Sequence, residues 1–240
     1  MQQFFRDLIY KVSRSFVRQK PPLALTDCKA QIPFGLPHID KENTMIICRH
    51  AYILEYDKEA KIPVWVSYVL TPDHASGDLE RSNAFESDQS LPKTERAYPR
   101  DYDRSGYDIG HMANAADMRW NKLVEHESFY MTNMCPQLPN LNRGIWKVLE
   151  TRTRNIASEH SHPMLIYVGP VYDTKLDHHI GISHICVPHK FFKIVVDLTT
   201  KQVRSYLFPH REHEGSDLTP FEVDVATIER ETKVSFPLPK

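Results

Sequence analysis

The chain has 240 residues, 41% hydrophobic and 25% charged, with 30 Lys+Arg against 31 Asp+Glu and a formal net charge of −1. That is ordinary globular composition with room for one sizeable core, and its balanced charge excludes binding a polyanion by bulk attraction. Any polyanion site has to be a local patch helped by a bound cation.

Residues 1–20 carry Phe4, Phe5, Leu8, Ile9, Val12 and Phe16 at helical spacing, with Arg6, Lys11, Arg14, Arg18 and Lys20 mostly elsewhere on the wheel. Pro21-Pro22 ends that helix. Residues 1–24 therefore read as an N-terminal amphipathic helix or arm. It either docks on the domain through its apolar stripe, the preferred reading, or offers a basic face to a membrane surface or partner. Arg6, Asp7 and Lys11 interrupt any secretory h-region, and no apolar run is long enough to span a bilayer. A cytoplasmic protein without integral membrane association is expected, with signal-independent export open.

Residues 25–240 read as one domain. Residues 44–56 are expected to form a strand and residues 62–70 a second, an edge strand because Pro63 stands near its start. Residues 57–61 make the hairpin between them. From 71 to 102 the pattern dissolves into Pro, Ser, Asp and Gly, a loop long enough to be functional or disordered. Residues 107–111 are extended, residues 112–121 a loop, and residues 129–134 a short strand closed by Pro136. Residues 140–158 form the clearest helix, with Leu141, Ile145, Val148, Leu149 and Ile156 on one face. Strands are expected at 164–168, ending at Gly169-Pro170, and at 185–187, 191–197 and 202–208 in antiparallel order. Residues 219–232 start extended and end helical. The 4 cysteines contain no C-x-x-C pair, so a zinc ribbon is not expected; two disulfides are permitted but not required.

Strand, loop and helix around a histidine and an asparagine suggest chemistry on a phosphate. His111 titrates near neutrality and can take a proton from water. Asn142 offers a neutral carboxamide oxygen, a suitable hard ligand for Mg²⁺, or else caps its helix. Glu150 lies about 12 Å further along that helix, in reach of metal-bound water.

Four stretches resemble the DNA/RNA non-specific endonucleases, which include the endonuclease G group. They are Ser105-Gly106-Tyr107-Asp108-Ile109-Gly110-His111-Met112, Ala115-Ala116-Asp117-Met118, the run from Phe129 to Gln137, and the run from Leu141 to Glu150. The resemblance implies an α+β fold: a central antiparallel β-sheet flanked by helices, with a ββα-metal (His-Me finger) site. It implies hydrolysis of DNA and RNA with little sequence specificity, leaving 5′-phosphate and 3′-hydroxyl ends. In that scheme His111 is the general base and Asn142 holds one Mg²⁺, for which Mn²⁺ can substitute. Glu150 acts on the metal's water, and Arg81 neutralises the transition state. Asn133 and Gln137 orient water and substrate, Asp108 orders the turn, and Arg143 is a substrate-side cation. Ile109 departs from the family's usual arginine and removes one phosphate-facing charge; Arg104, Arg119 and Arg143 are the substitutes to consider. Asn114 stands where proline is common.

Two rivals remain. One is a catalytically weak nucleic-acid-binding module on the same fold, favoured by Ile109; the other is a protein–protein module, favoured by the near-neutral charge. A nuclease also calls for an inhibitor or immunity partner, or prompt export. With an ordinary imidazole pKa, activity should fall below about pH 6.

Overall fold

β-Branched and aromatic runs build most of one sheet in the computed structural model, which describes residues 19–239. The strands are β1 (Thr44–Cys48), β2 (Ile53–Asp57), β3 (Ile62–Leu70), β6 (Met164–Val171), β9 (Lys190–Asp197) and β10 (Val203–Pro209), in spatial order β1-β2-β3-β6-β9-β10. Every neighbouring pair is antiparallel. Two small hairpins stand apart: β4 (Asp108–His111) with β5 (Met134–Gln137), and β7 (His179–Ile180) with β8 (Ile185–Cys186). The α-helices are α1 (Pro72–Ala75), α2 (Lys122–Ser128), α3 (Trp146–Glu159) and α4 (Val225–Thr232). The architecture is the expected α+β one. No described helix is long and apolar enough to cross a membrane.

Several boundaries differ from the sequence reading, each for a local reason. Residues 44–56 are two strands, because Arg49 N–H bonds Tyr52 C=O and closes a turn. Ala51 and Tyr52 keep the turn apolar, so composition hides it. β3 is an interior strand, not an edge. Pro63 is tolerated because the β2–β3 register slips beside it and pairing with β6 begins only at Val66. β6 runs past Gly169-Pro170 for a related reason: β3 pairs with it only as far as Val168, which frees that edge for a proline. Residues 129–134 are not a strand. They hold a 3-10 turn (Met131–Asn133), and β5 begins at Met134. α2 was not foreseen, although Asn121 caps it, its Oδ1 accepting from Leu123 N–H at 2.8 Å.

The alternation of the central strands separates two cores. On one face, Met164, Ile166, Val168 and Phe191 pack with Trp146 and Leu149 of α3. On the other, Leu165, Tyr167, Phe192, Ile194 and Val196 meet Ile228 of α4 and the C-terminal Val234 and Phe236. A Cys28–Cys48 disulfide fastens the leading segment to β1 on that second face; Cys135 and Cys186 are free and buried. The amphipathic helix expected at residues 1–20 lies almost wholly outside the described residues. Of that stretch, Gln19 and Lys20 are described: Gln19 Nε2 donates to Ser87 C=O, and Arg49 Nη1 donates to Lys20 C=O.

The long 71–102 stretch is pinned to the site's face. Buried Arg49 pairs with Asp88 at 2.6 Å, and Asp88 also accepts from Thr132 Oγ1. Ser82 N–H donates to Glu125 Oε1, and Arg119 donates to the backbone carbonyls of Asp78 and Leu79.

Candidate active site

The β4–β5 hairpin and α3 face one cavity of about 550 Å³, whose lining includes Arg81, Asp108, His111, Asn142, Glu150 and Arg154. His111 and Asn142, 31 positions apart in sequence, thus share a pocket. His111 ends β4. The residue is 8% exposed, and its ring meets Phe129 edge-on at 4.8 Å and Phe85 at 5.4 Å. Burial, reinforced by the nearby Arg81 charge, pushes the imidazole down to about 3. The ring is therefore neutral throughout the range in which an ordinary imidazole titrates. An acid limb near pH 6 is not expected from it in the free protein, which corrects the ordinary-pKa expectation.

Phe129 organises both sides of the base, because the Arg81 guanidinium lies 5.3 Å from the same ring. Arg81 Nε is steadied by Asn83 Oδ1 at 2.7 Å. The thin local context of Arg81 in the sequence thus conceals a definite place in the cavity.

Asn142 precedes a break in the helix. Residues Leu141–Ile145 form a π-type turn in which Gly144 takes φ −99° and ψ −117°, and regular α3 starts only at Trp146. The side chain does not cap the helix. Its Nδ2 donates to Asp108 Oδ2 at 2.9 Å, which leaves the carboxamide oxygen as the free acceptor. Asp108 also takes two hydrogen bonds from Arg143, including Nε at 2.8 Å. Burial alone would raise the Asp108 carboxyl; the bonds from Arg143 and Asn142 outweigh it and hold the pKa below its usual range. Arg143 is exposed, but its charge is engaged by Asp108. Arg119 is likewise committed to backbone carbonyls, and Arg104 does not line the cavity. Ile109 lines the cavity and leans on the core.

Glu150 is 12% exposed at its side chain and sits 3.4 Å from Lys193 Nζ. Alternation along β9 puts Lys193 on the same sheet face as Phe191 and Val195, under α3, with its ammonium 4.7 Å from the Trp146 ring. Burial pushes the Glu150 carboxyl up, and the Lys193 charge pulls it part of the way back.

Two foreseen residues are not at the surface of this cavity. Asn133 is fully buried and spends its amide on scaffolding: Oδ1 accepts from Ala113 N–H, and Nδ2 donates to the carbonyls of Ala113 and Ser128. Gln137 is also fully buried, with neither amide atom partnered among the described residues. It packs against Gly110, where any Cβ would overlap its amide; that close approach explains the glycine beside the base. Neither lines the cavity: Asn133 braces the backbone at Ala113 and Ser128, and Gln137 backs Gly110.

Sequence reasoning missed Arg154, one turn beyond Glu150 on the same helix face. Asp117 holds its Nε at 2.7 Å and accepts from Tyr68 OH at 2.8 Å, so the Ala115–Met118 motif ties α3 to β3. The i, i+4 spacing from Glu150 was the available signal. His210 is engaged at both ring nitrogens, by Pro188 C=O and Leu138 N–H.

The donor set suits a hard, largely hydrated cation: one oriented carboxamide oxygen and one carboxylate in the same cavity. Among the described residues no group of three or more His, Cys, Asp or Glu forms a closed metal cage.

Comparison with known proteins identifies the family and the fold. Residues 35–238 match the family described as DNA/RNA non-specific endonuclease. Mitochondrial endonuclease G of Bos taurus is 32% identical over 217 residues, covering 85% of this chain and 71% of that protein. The mitochondrial nuclease of Saccharomyces cerevisiae is 31% identical, over 77% of this chain and 63% of that one. Among solved structures, an EndoG/EndoGI complex described as revealing the mechanism of EndoG inhibition superposes with a TM-score of 0.80. It has 28% identity and covers 89% of this chain and 92% of that chain. With His111, Asn142 and the sheet all in the matched span, the chain belongs to the DNA/RNA non-specific endonuclease family.

Proposed function

We propose that this metal-dependent endonuclease cleaves phosphodiester bonds of both DNA and RNA by a base-activated water, with Mg²⁺ as its ion and Mn²⁺ as a substitute. The observation that carries the reading is the shared cavity, which gathers a neutral imidazole, a guanidinium, an oriented carboxamide and a carboxylate from separate stretches of chain. His111 takes the proton of the attacking water, its ring held by Phe85 and Phe129. Arg81 supplies positive charge where the phosphoryl oxygens gain negative charge. Asn142 would hold the ion through its carboxamide oxygen, and Glu150 would hold the ion's water. When bound, the ion supplies Lewis-acid polarisation of the phosphoryl group and stabilises the leaving 3′ oxygen. Asp108 keeps the Asn142 amide turned the right way round.

Supercoiled plasmid with Mg²⁺ tests this. Relaxed and linear products with Mg²⁺, and none with chelator, are expected. Retention of plasmid without nicking, in Mg²⁺ and in Mn²⁺, would establish the binding-module rival instead. A macromolecular inhibitor is part of the same proposal, supported by the EndoG/EndoGI complex that the fold resembles.

A further inference from the structure

We propose that the exposed face of α3 beyond the cleavage cavity is a track for the next few nucleotides of the bound strand, an inference that rests on the nuclease reading above. The cleavage cavity does not end at the catalytic groups. It shares Arg143, Lys147 and Thr151 with a second concavity of about 580 Å³, which continues past Arg152 and Asn155 to Glu159. Lys147, Thr151 and Asn155 stand at i, i+4 and i+8, so they form one stripe along the helix. All three are exposed.

The chemistry of the stripe fits a phosphodiester backbone. Arg143 at its near end is engaged by Asp108, whereas Lys147 one turn on makes no ion pair among the described residues. Lys147 therefore carries the first uncommitted cation beside the cleavage cavity, in the same lining as Ile109. Arg152 is exposed and acts at a distance on Asp217. Thr151 and Asn155 offer neutral donors for phosphate or sugar oxygens. Partly buried Val148 and Ile156 give the concavity an apolar floor against which sugars and bases can lie. From Lys147 to Asn155 the helix rises about 12 Å, roughly three nucleotides of a strand that keeps its stacked rise of about 3.4 Å each. Glu159 then closes the groove with a negative charge, which repels a further phosphate and sets the end of the track.

The test compares a dinucleotide, too short to run the length of the stripe, with a single-stranded dodecamer. Lys147→Ala/Arg152→Ala is assayed on both across a salt series, with Mg²⁺ present. The dodecamer KM should rise at least about fivefold more than the dinucleotide KM. Its dependence on log salt should become shallower by about 1.4, the change expected when two phosphates of a single strand are no longer neutralised. Lys147→Arg/Arg152→Lys should restore both quantities. In the unaltered protein, KM should fall with added nucleotides and level off about three beyond the cleavage cavity. Equal penalties on the two substrates, or an unaltered salt slope, would overturn the track. A wild-type protein that binds the dodecamer yet cuts neither substrate would sink the nuclease reading instead, and the same salt slope measured on binding would still decide the track.

Discussion

The two faces of the central sheet are built to different standards. On the α4 face the polar aromatics are paired: Trp65 Nε1 donates to Glu55 at 2.8 Å and Tyr167 OH donates to Pro237 C=O at 2.9 Å. On the α3 face Tyr52 and Tyr68 are paired as well, but His111 Nε2, Gln137 Oε1 and Nε2, and Trp146 Nε1 are buried without hydrogen-bond partners among the described residues. A buried unpaired polar atom costs about 1–3 kcal/mol. The α4 face is therefore built for holding together, whereas the α3 face leaves a His111 ring nitrogen, in the lining of the cavity, without a protein partner.

That contrast can be broken at the site and at the scaffold. His111→Ala should lower kcat between about a hundredfold and ten-thousandfold, the usual worth of a general base, while circular dichroism stays native. A normal rate in this variant would remove the base assignment. On the opposite face, Cys28→Ser/Cys48→Ser opens a loop whose ends are 20 positions apart and should cost about 3 kcal/mol in denaturant titration. Its kcat should be native wherever the protein is folded; a loss of kcat would mean that the two faces are coupled. Asp108→Ala removes the acceptor of the Asn142 amide and should raise the Mg²⁺ concentration for half-maximal rate about 10- to 100-fold. An unchanged titration would show that the carboxamide needs no such clamp.

Two smaller effects sharpen the comparison. Gln137→Met replaces an unpaired buried amide by an apolar side chain of similar reach and should stabilise the protein by about 1–2 kcal/mol. If it also reduced kcat, Gln137 would be more than support. The pH profile gives the last test. The free-site imidazole sits at about 3, so the acid limb of kcat/KM attributable to His111 should lie far below pH 6. A bound phosphate anion opposes the Arg81 charge and raises that pKa, so the limb in kcat should fall at higher pH than the limb in kcat/KM. Coincident limbs would contradict it. The same shift has a stability counterpart: between about pH 3 and 6.5 the unfolded histidine binds a proton that the folded one does not, so stability falls as pH falls through that window.

His111, Asn142 and Glu150 were legible because motif spacing identifies positions, and the resulting hairpin and helix do bring them to one cavity. Motif spacing does not say which way a side chain turns. Asn133 and Gln137 occupy matching positions, but Asn133 faces Ala113 and Ser128 and Gln137 faces Gly110. Lys193 is 43 positions from the carboxylate that it meets, with no local signal except a lysine on the buried face of a strand. The sheet was legible from its β-branched runs, and its breaks were not: the Arg49–Tyr52 turn contains neither glycine nor proline. The 71–102 stretch lacked periodicity because its order comes from distant anchors such as Asp88 with Arg49.

The Cys28–Cys48 bond links this architecture to its chemical surroundings. Both sulfurs are nearly sealed from solvent, with residue exposures of 1% and 2%, so a reductant has little access to them while the protein is folded. Glutathione would act on the opened chain instead, and the bond, once broken, would re-form readily only in an oxidising space. The redox poise of the compartment where the chain first folds therefore determines how firmly its leading segment is fastened to the sheet.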